Sequence, residues 1–270
     1  MSDGPTNDGP TSEGGDSTRT GRWSDSVALV VGTLTRWPVP PPKQIDSLRA
    51  GAAMVLAPAV GLALGALCAL VAMLLGLLGL GPYPAAVVVI GLLALASRGL
   101  HLDGLADTAD GLGSGRDADG ALDIMRRGDV GPIGVATMVL VLLGQVTALA
   151  QVLPVWGPWA CVVLVAASRS VLPIACRTGV SPARPGGLGA AVAGTVPTPV
   201  ALLAWLATAA LGLLLAPIAV VAAAVALVVA AIGTAIALRR LGGITGDVLG
   251  WLIELALLGA TLALACVVPV

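Results

Sequence analysis

The 270-residue sequence contains no Phe, a single His and few charged residues. Asp, Glu, Lys and Arg make up 11% of the chain, against about 25% in an average soluble domain. A soluble fold needs such side chains to face water, so this composition excludes a soluble globular enzyme. The 57% of hydrophobic residues excludes a disordered chain and indicates an integral membrane protein. The formal net charge of −1 predicts no nucleic-acid partner.

Cysteine is also scarce. The four cysteines lie in apolar runs without C-x-x-C spacing, so the pattern predicts neither a disulfide scaffold nor a thiolate metal site. We interpret them as small buried hydrophobic residues.

Charged residues are absent from three long stretches. None occurs in 51–97, 130–168 or 185–238, which are 47, 39 and 54 residues long. About 20 helical residues cross a bilayer, so each stretch is long enough for two spans, and Gly or Pro marks a turn within each. Backbone in lipid must satisfy its own hydrogen bonds, and these runs lack the alternation of barrel strands. The fold class is therefore all-α, a polytopic bundle of about seven transmembrane helices, near 54–80, 84–102, 132–153, 158–176, 198–216, 218–238 and 250–268.

All fourteen Lys and Arg residues lie between the apolar stretches, before residue 50, in 98–127, in 169–184, or at 239–240. Because positive residues mark the cytoplasmic side, we expect a multi-pass protein of the cell membrane with these segments in the cytoplasm.

Residues 1–25 are hydrophilic and predict a disordered tail. Residues 26–270 then form a single transmembrane catalytic domain. The oligomeric state is left open, with a homo-oligomer as one option.

An acidic loop, near 98–131, follows the second predicted span. It holds seven of the fifteen acidic residues, and Asp103, Asp107 and Asp110 are spaced i, i+4, i+7. At ~100° per residue, these three point within an arc of roughly 60° on one helix face. Like charges at this spacing destabilise a helix, so we expect a cation to offset them. Oxygen ligands of this kind suit Mg²⁺, with Mn²⁺ as an alternative, better than Zn²⁺.

Glycine and arginine accompany the acids. Gly104 and Gly111 remove side chains where a phosphorylated substrate would approach the backbone, and Arg126 can hold phosphate oxygens. With a metal ion, these residues predict a phosphoryl- or nucleotidyl-transfer site. The alternative is a solvated acidic loop in which Asp residues cap helices.

Other ionisable positions have two interpretations. His101 is either functional or an interfacial histidine with satisfied hydrogen bonds. Arg169, in an apolar stretch, is either a functional intramembrane residue or the structural partner of a carboxylate. Glu254, just inside the last span, is interpreted as a buried partner for an Arg. Asp247 lies in a glycine-rich turn on the same predicted side as the acidic loop.

Five motifs spread along the chain carry a resemblance to a known family. They are LTRWPVP at 34–40, LHLDGLADTADG at 100–111, ALDIM at 121–125, GPIG at 131–134 and GITGDVLG at 243–250. Together they resemble the cobalamin synthase family of adenosylcobinamide-GDP ribazoletransferases, from about residue 27 onward. The sequence departs from the family pattern at Arg127, where an acidic residue is usual, and at Asp129, where a basic one is usual.

The resemblance implies a polytopic, Mg²⁺-dependent enzyme in the lipid bilayer. Its expected reaction joins adenosylcobinamide-GDP to α-ribazole or α-ribazole 5′-phosphate and releases GMP, completing the nucleotide loop of adenosylcobalamin. The expected metal ligands are Asp103, Asp107 and Asp110, and one of these or His101 would accept the hydroxyl proton. The expected contacts to substrate are Gly104, Gly111, Arg126, Arg169 and Asp247.

Two other classes stay open at this point. A CDP-alcohol phosphotransferase-type lipid enzyme also uses an Asp cluster at a helix end, but its Asp-Gly-x-x-Ala-Arg order is not met, since residue 107 is Asp. An ion-coupled transporter would use intramembrane carboxylates. Here the acidic residues other than Glu254 lie at the ends of the predicted spans.

Overall fold

The computed structural model describes residues 14–215 and 217–267, with side chains from residue 23 onward, and shows helices, irregular segments and two isolated β-bridges there. The helices in chain order are α1 (Gly14–Leu34), α2 (Ser47–Leu77), α3 (Pro82–Ala96), α4 (Leu100–Gly113), α5 (Ala118–Met125), α6 (Pro132–Trp156), α7 (Ala160–Arg169), α8 (Val171–Ala175), α9 (Gly187–Val192), α10 (Thr198–Leu215), α11 (Ala219–Leu241) and α12 (Gly246–Cys266). The predicted all-α polytopic membrane fold is confirmed.

Five of these helices, α2, α6, α10, α11 and α12, are long and apolar enough to cross a membrane, and α3 and α4 together would make a sixth, bent span. Two of the seven predicted spans differ from single long helices for local reasons. The predicted span 84–102 breaks at Arg98 and Gly99, which both have positive φ, and α4 turns 87° away from α3. The predicted span 158–176 becomes a shorter apolar unit, Ala160–Ala175. We therefore treat α4 as a helix outside the five spanning ones.

Helix ends follow from local sequence. The Asp46 carboxylate accepts a hydrogen bond from Arg49 N at the start of α2, and the Thr245 hydroxyl accepts one from Val248 N at the start of α12. Pro82 and Pro132 occupy the first turns of α3 and α6, where a missing N–H costs nothing and the fixed φ suits a helix. These residues fix where the chain enters the bundle.

The helix α12 is the most buried of the spanning helices and packs against α4, α6, α7 and α11. Small residues allow the closest approaches. A Cβ on Gly65 of α2 would lie 2.7 Å from Val162 Cα of α7, and a Cβ on Gly104 of α4 would lie 2.6 Å from the Asp247 carbonyl oxygen. The first turn of α12 is thereby held directly against the acidic helix α4.

The hydrophilic segment 1–25, predicted as a tail, is described only in part. Residues 14–25 are part of α1, whereas 1–13 lie outside the described residues. The Asp25 carboxylate is buried, lies 3.2 Å from the Arg49 guanidinium and accepts a hydrogen bond from Lys43 N. This ion pair allows a polar residue to enter the bundle just before the apolar turn that contains Leu29 and Val30.

Candidate active site

The three predicted metal ligands do lie on one helix. Helix α4 follows a left-handed Gly99 and carries Asp103 in its first turn. Asp103 is exposed, whereas Asp107 and Asp110 are 9% and 8% exposed. Residues on one face of a helix can still lie far apart along its axis. Seven residues at 1.5 Å each separate Asp103 from Asp110 by roughly 10 Å in this direction.

Asp110 binds the start of the next spanning helix. Its two carboxylate oxygens accept hydrogen bonds from Gly131 N at 2.7 Å and Gly134 N at 2.8 Å. Those N–H groups belong to the first turn of α6, which has no side-chain cap of its own. A Cβ on Gly134 would lie 2.3 Å from an Asp110 carboxylate oxygen. The structure therefore gives Asp110 the capping role that the sequence analysis assigned to the alternative interpretation.

We predict that Asp110→Ala lowers stability more than any other substitution of an acid in 98–131. Two hydrogen bonds to a buried carboxylate are lost, and the expected cost is about 2–3 kcal/mol. Thermal unfolding of the purified protein in detergent measures this effect. The exposed Asp119 provides a matched control, whose replacement by Ala should change stability by less than about 0.5 kcal/mol. Wild-type stability combined with lost activity in Asp110→Ala would instead indicate a metal ligand.

A cavity of about 310 Å³ lies beside the first turn of α4. Its wall combines the end of α1, the start of α4, the start of α12 and the segment before α9. The polar side chains that line it are Thr33, His101, Asp103, Arg184 and Asp247. Two carboxylates and one guanidinium thus face the same space from three distant parts of the chain.

Arg184 and Asp247 are brought together by backbone pairing. Ala183 N donates to Ile244 O, and Ile244 N donates to Ser181 O, both at 3.0 Å. A Cβ on Gly243 would lie 2.4 Å from Ser181 O, so only glycine permits this approach. The Arg184 guanidinium then lies 3.4 Å from the Asp247 carboxylate, which also accepts a hydrogen bond from the Thr245 hydroxyl.

Negative charge accumulates at Asp107. Burial and the nearby carboxylates of Asp103, Asp247 and Asp110 raise the pKa of Asp107 to about 6, while Arg184 opposes this shift. A carboxylate among carboxylates is disfavoured in its charged form unless a cation is present. Among the described residues, no three His, Cys, Asp or Glu side chains are arranged to hold one metal ion. The carboxylates around Asp107 are therefore close enough to influence one another's charge, but they do not supply a complete set of ligands for a metal ion.

His101 belongs both to the cavity wall and to a buried polar cluster. Its imidazole is 5% exposed, and neither ring nitrogen has a hydrogen-bond partner among the described residues. Its Nδ1 lies 3.9 Å from the Glu254 carboxylate. The other oxygen of Glu254 accepts a hydrogen bond from Gln145 Nε2 at 2.8 Å. Arg169, 1% exposed, donates to the Ser168 hydroxyl and interacts electrostatically with Glu254.

The remaining predicted substrate contacts lie elsewhere. Gly104 packs against the backbone of Asp247, and Gly111 packs against Met125 of α5, so both glycines serve helix packing. Arg126 is exposed at the end of α5, 3.8 Å from Asp123. Arg169 lies in the interior. The structure thus brings His101, Asp103 and Asp247 to one cavity and separates Arg126 and Arg169 from it.

Sequence reasoning missed Arg184. Its place in a Pro- and Gly-rich stretch on the predicted cytoplasmic side was the available signal. That signal gave no reason to prefer Arg184 over the other arginines, because its partner Asp247 is 63 residues away.

Comparison with known proteins gives a consistent result. A model of the family described as cobalamin-5-phosphate synthase matches residues 26–265. A protein named adenosylcobinamide-GDP ribazoletransferase from a Nocardioides species is 42% identical over 89% of this chain and 98% of its own length. Proteins of the same name from Frankia casuarinae and Corynebacterium efficiens are 40% and 34% identical, over 87% and 92% of this chain and 92% of each relative. No solved structure matches the chain.

Proposed function

The chain belongs to the cobalamin-5-phosphate synthase family, and from this premise we propose that it joins adenosylcobinamide-GDP to α-ribazole or α-ribazole 5′-phosphate. It is an enzyme, a transferase that assembles the nucleotide loop of cobalamin. The observation that carries the mechanism is the convergence of Asp103, Asp247 and Arg184 at one cavity, with Asp107 close enough to feel their charges. Family membership argues against the lipid phosphotransferase and the transporter.

The reaction is a displacement at phosphorus. A hydroxyl oxygen of α-ribazole bonds to the phosphate attached to cobinamide, the bond from that phosphate to the bridging oxygen breaks, and GMP leaves. The proton of the attacking hydroxyl passes to a basic group of the cavity wall, for which Asp103 and His101 are the candidates. Both reactants are anionic, so the site must neutralise charge and hold nucleophile and leaving group in line.

Asp103 and Asp107 are the side chains proposed to hold Mg²⁺. They fit this ion because the charge at Asp107 lacks sufficient compensation from the protein. Mg²⁺ in phosphoryl-transfer sites is commonly held by one or two carboxylates plus substrate phosphates, so a complete protein cage is not required. The bound ion would neutralise developing charge on the phosphate oxygens.

Arg184 is proposed to bind the diphosphate of adenosylcobinamide-GDP. Its guanidinium lines the cavity and is held by Asp247 at 3.4 Å. A planar guanidinium matches two phosphate oxygens at once. In this proposal Arg184 replaces Arg126 and Arg169, which the sequence analysis preferred.

The cavity is proposed to open to the cytoplasm from the cell membrane. The Lys and Arg residues lie in segments that alternate with the apolar stretches, and positive residues accumulate on the cytoplasmic side. The segments that form the cavity lie next to such residues: Asp103 follows Arg98, Arg184 is itself one of them, and Asp247 follows Arg239 and Arg240.

A direct assay tests the reaction. The purified protein in proteoliposomes is supplied with adenosylcobinamide-GDP and, in separate samples, α-ribazole or its 5′-phosphate. We expect GMP and the cobalamin product to form in equal amounts with at least one acceptor. Folded protein that releases no GMP with either acceptor would contradict the proposed reaction, and CDP-diacylglycerol serves as the control donor.

We predict that metal removal abolishes turnover. Since a bound ion contributes several kcal/mol of charge stabilisation, EDTA should lower GMP release by about 100-fold or more. Added Mg²⁺ or Mn²⁺ should restore the rate. EDTA saturated with Mg²⁺ beforehand is the control for effects of the chelator itself, and full activity in excess free EDTA would exclude a metal-dependent reaction.

A further inference from the structure

A second, larger cavity lies on the other side of the end of α1. It has a volume of about 940 Å³ and lies between α1, α2 and α3. The side chains along it are apolar and include Val31, Val60, Leu64, Leu67 and Leu95. Leu67 and Leu95 are 43% and 65% exposed on helices of a membrane protein. We call this space the α1–α3 groove. Its walls suit hydrocarbon chains and not a nucleotide.

One end of the groove is cationic. The segment that follows α1 supplies Thr35, Arg36, Trp37 and Pro38 to the lining. The Thr35 hydroxyl is already bonded to Val31 O and Trp37 N. Within the part of the chain that the structure describes, the exposed Arg36 guanidinium forms no ion pair. Arg36 therefore places a positive charge without an ion-pair partner among the described residues at the end of the apolar groove.

Trp37, the residue after Arg36, indicates the depth of this end of the groove in the bilayer. Trp37 is 71% exposed, and tryptophan is enriched at the membrane–water interface. An occupant thus needs hydrocarbon chains in the groove and a negative group at headgroup depth beside Arg36. Anionic phospholipid has both, and anionic lipids are abundant in the cytoplasmic leaflet.

The last turn of α1 separates the groove from the candidate active site. Val30 and Val31 line the groove, whereas Gly32, Thr33 and Leu34 line the 310 Å³ cavity. Arg36 N also donates a hydrogen bond to Ala96 O at the end of α3. A molecule in the groove therefore packs against the last turn of α1, whose opposite side forms one wall of the 310 Å³ cavity.

We propose that the α1–α3 groove binds one anionic phospholipid, with its acyl chains between α1, α2 and α3 and its phosphate at Arg36, and that this lipid holds the α1 wall of the active-site cavity in place. Lipid binding is independent of the proposed reaction. The effect on turnover rests on the proposed function, so the two are measured separately.

Two substitutions test the two parts of the lipid site. Arg36→Gln removes the charge at the headgroup end. Ala63→Phe places a ring in the groove, since Ala63 lines it and is exposed. Matched controls are Arg240→Gln, at the exposed end of α11, and Ala66→Phe, at an exposed position of α2 outside the groove lining.

Native mass spectrometry of the detergent-solubilised protein measures binding of phosphatidylglycerol and phosphatidylcholine. We expect one phosphatidylglycerol to bind preferentially to the wild type and to both controls. Arg36→Gln should weaken this binding by about fivefold, the effect of one arginine at an anionic surface, and Ala63→Phe should abolish it. Equal binding of both lipids to wild type and Arg36→Gln, or unchanged binding in Ala63→Phe, would overturn the lipid site. So would a lipid-free dimer that Ala63→Phe dissociates, since a second copy would then occupy the groove.

Turnover in vesicles tests the link to the active site. GMP release by the wild type should be faster in vesicles that contain phosphatidylglycerol than in pure phosphatidylcholine, and Arg36→Gln should lose this difference. Equal wild-type rates in both vesicles, with lipid binding confirmed, would overturn the link but leave the binding site. Absence of GMP release in every vesicle would contradict the proposed function instead.

Discussion

Asp103→Asn and Asp107→Asn will each lower the rate of GMP release by about 100-fold or more, because each removes charge that a metal-assisted displacement requires. Neither substitution should reduce the folded fraction. Within the described structure neither carboxylate accepts a hydrogen bond from the protein, in contrast to Asp110. Because burial and the neighbouring carboxylates raise the pKa of Asp107, Asp107→Asn removes an unfavourable charge, and its melting temperature should equal or exceed that of the wild type. Replacement of a catalytic residue often raises the stability of an enzyme while it lowers the activity.

Initial rates and thermal melts on the same preparations check this prediction. Asp119→Asn is the matched control, since Asp119 is an exposed acid on the neighbouring helix α5, and its rate should stay near that of the wild type. The rate of GMP release by Asp247→Asn should lie between that of Asp119→Asn and those of the Asp103 and Asp107 variants. This variant also loses the ion pair with Arg184. Near-normal rates in both Asp103→Asn and Asp107→Asn, at unchanged protein levels, would refute the assignment of these acids.

The membrane fold and the acidic helix could be predicted because both depend on local sequence. Long runs without charge must lie in lipid, and five of the predicted spans appear as single long helices. The spacing of Asp103, Asp107 and Asp110 likewise predicts one helix, which α4 confirms. The interpretation of Glu254 as a buried partner for an Arg also agrees with its electrostatic interaction with Arg169.

The hydrogen bonds of Asp110 to the start of α6 could not be predicted in this way. Helical spacing gives the angle of a side chain about the axis, but the choice of ligand depends on position along the axis and on neighbours. Asp110 finds those neighbours in the N–H groups of Gly131 and Gly134. The same limit applies to Arg184, whose role depends on the backbone pairing of Ser181 and Ile244. These contacts join distant segments, so they become visible only in the folded chain.

Arg169→Met will destabilise the protein by about 3 kcal/mol, because it removes a buried guanidinium that donates a hydrogen bond to the Ser168 hydroxyl and interacts electrostatically with Glu254. The methionine keeps the length of the side chain but leaves the Glu254 carboxylate, 7% exposed, without the cation it interacts with. At roughly 2–4 °C per kcal/mol, the melting temperature in detergent should fall by about 10 °C. Arg127→Met, at an exposed position, should change stability by less than about 0.5 kcal/mol.

A double-mutant cycle identifies the partner. Glu254→Gln keeps the shape that Gln145 contacts and removes only the charge, so the double variant Arg169→Met/Glu254→Gln should cost less than the sum of the single variants by about 1 kcal/mol or more. Strict additivity would show that the two charges do not interact.

The kinetics of Arg169→Met separate the two roles that its sequence position allows. A residue that contacts substrate phosphate raises the KM for adenosylcobinamide-GDP when it is removed, whereas a structural partner lowers only the amount of folded enzyme. The guanidinium is 1% exposed and bonded to Ser168, so an anionic substrate could reach it only if α7 moved away from its neighbours. We therefore expect an unchanged KM per folded molecule. A KM that rises about tenfold at wild-type stability would restore Arg169 to the substrate site and contradict its structural role.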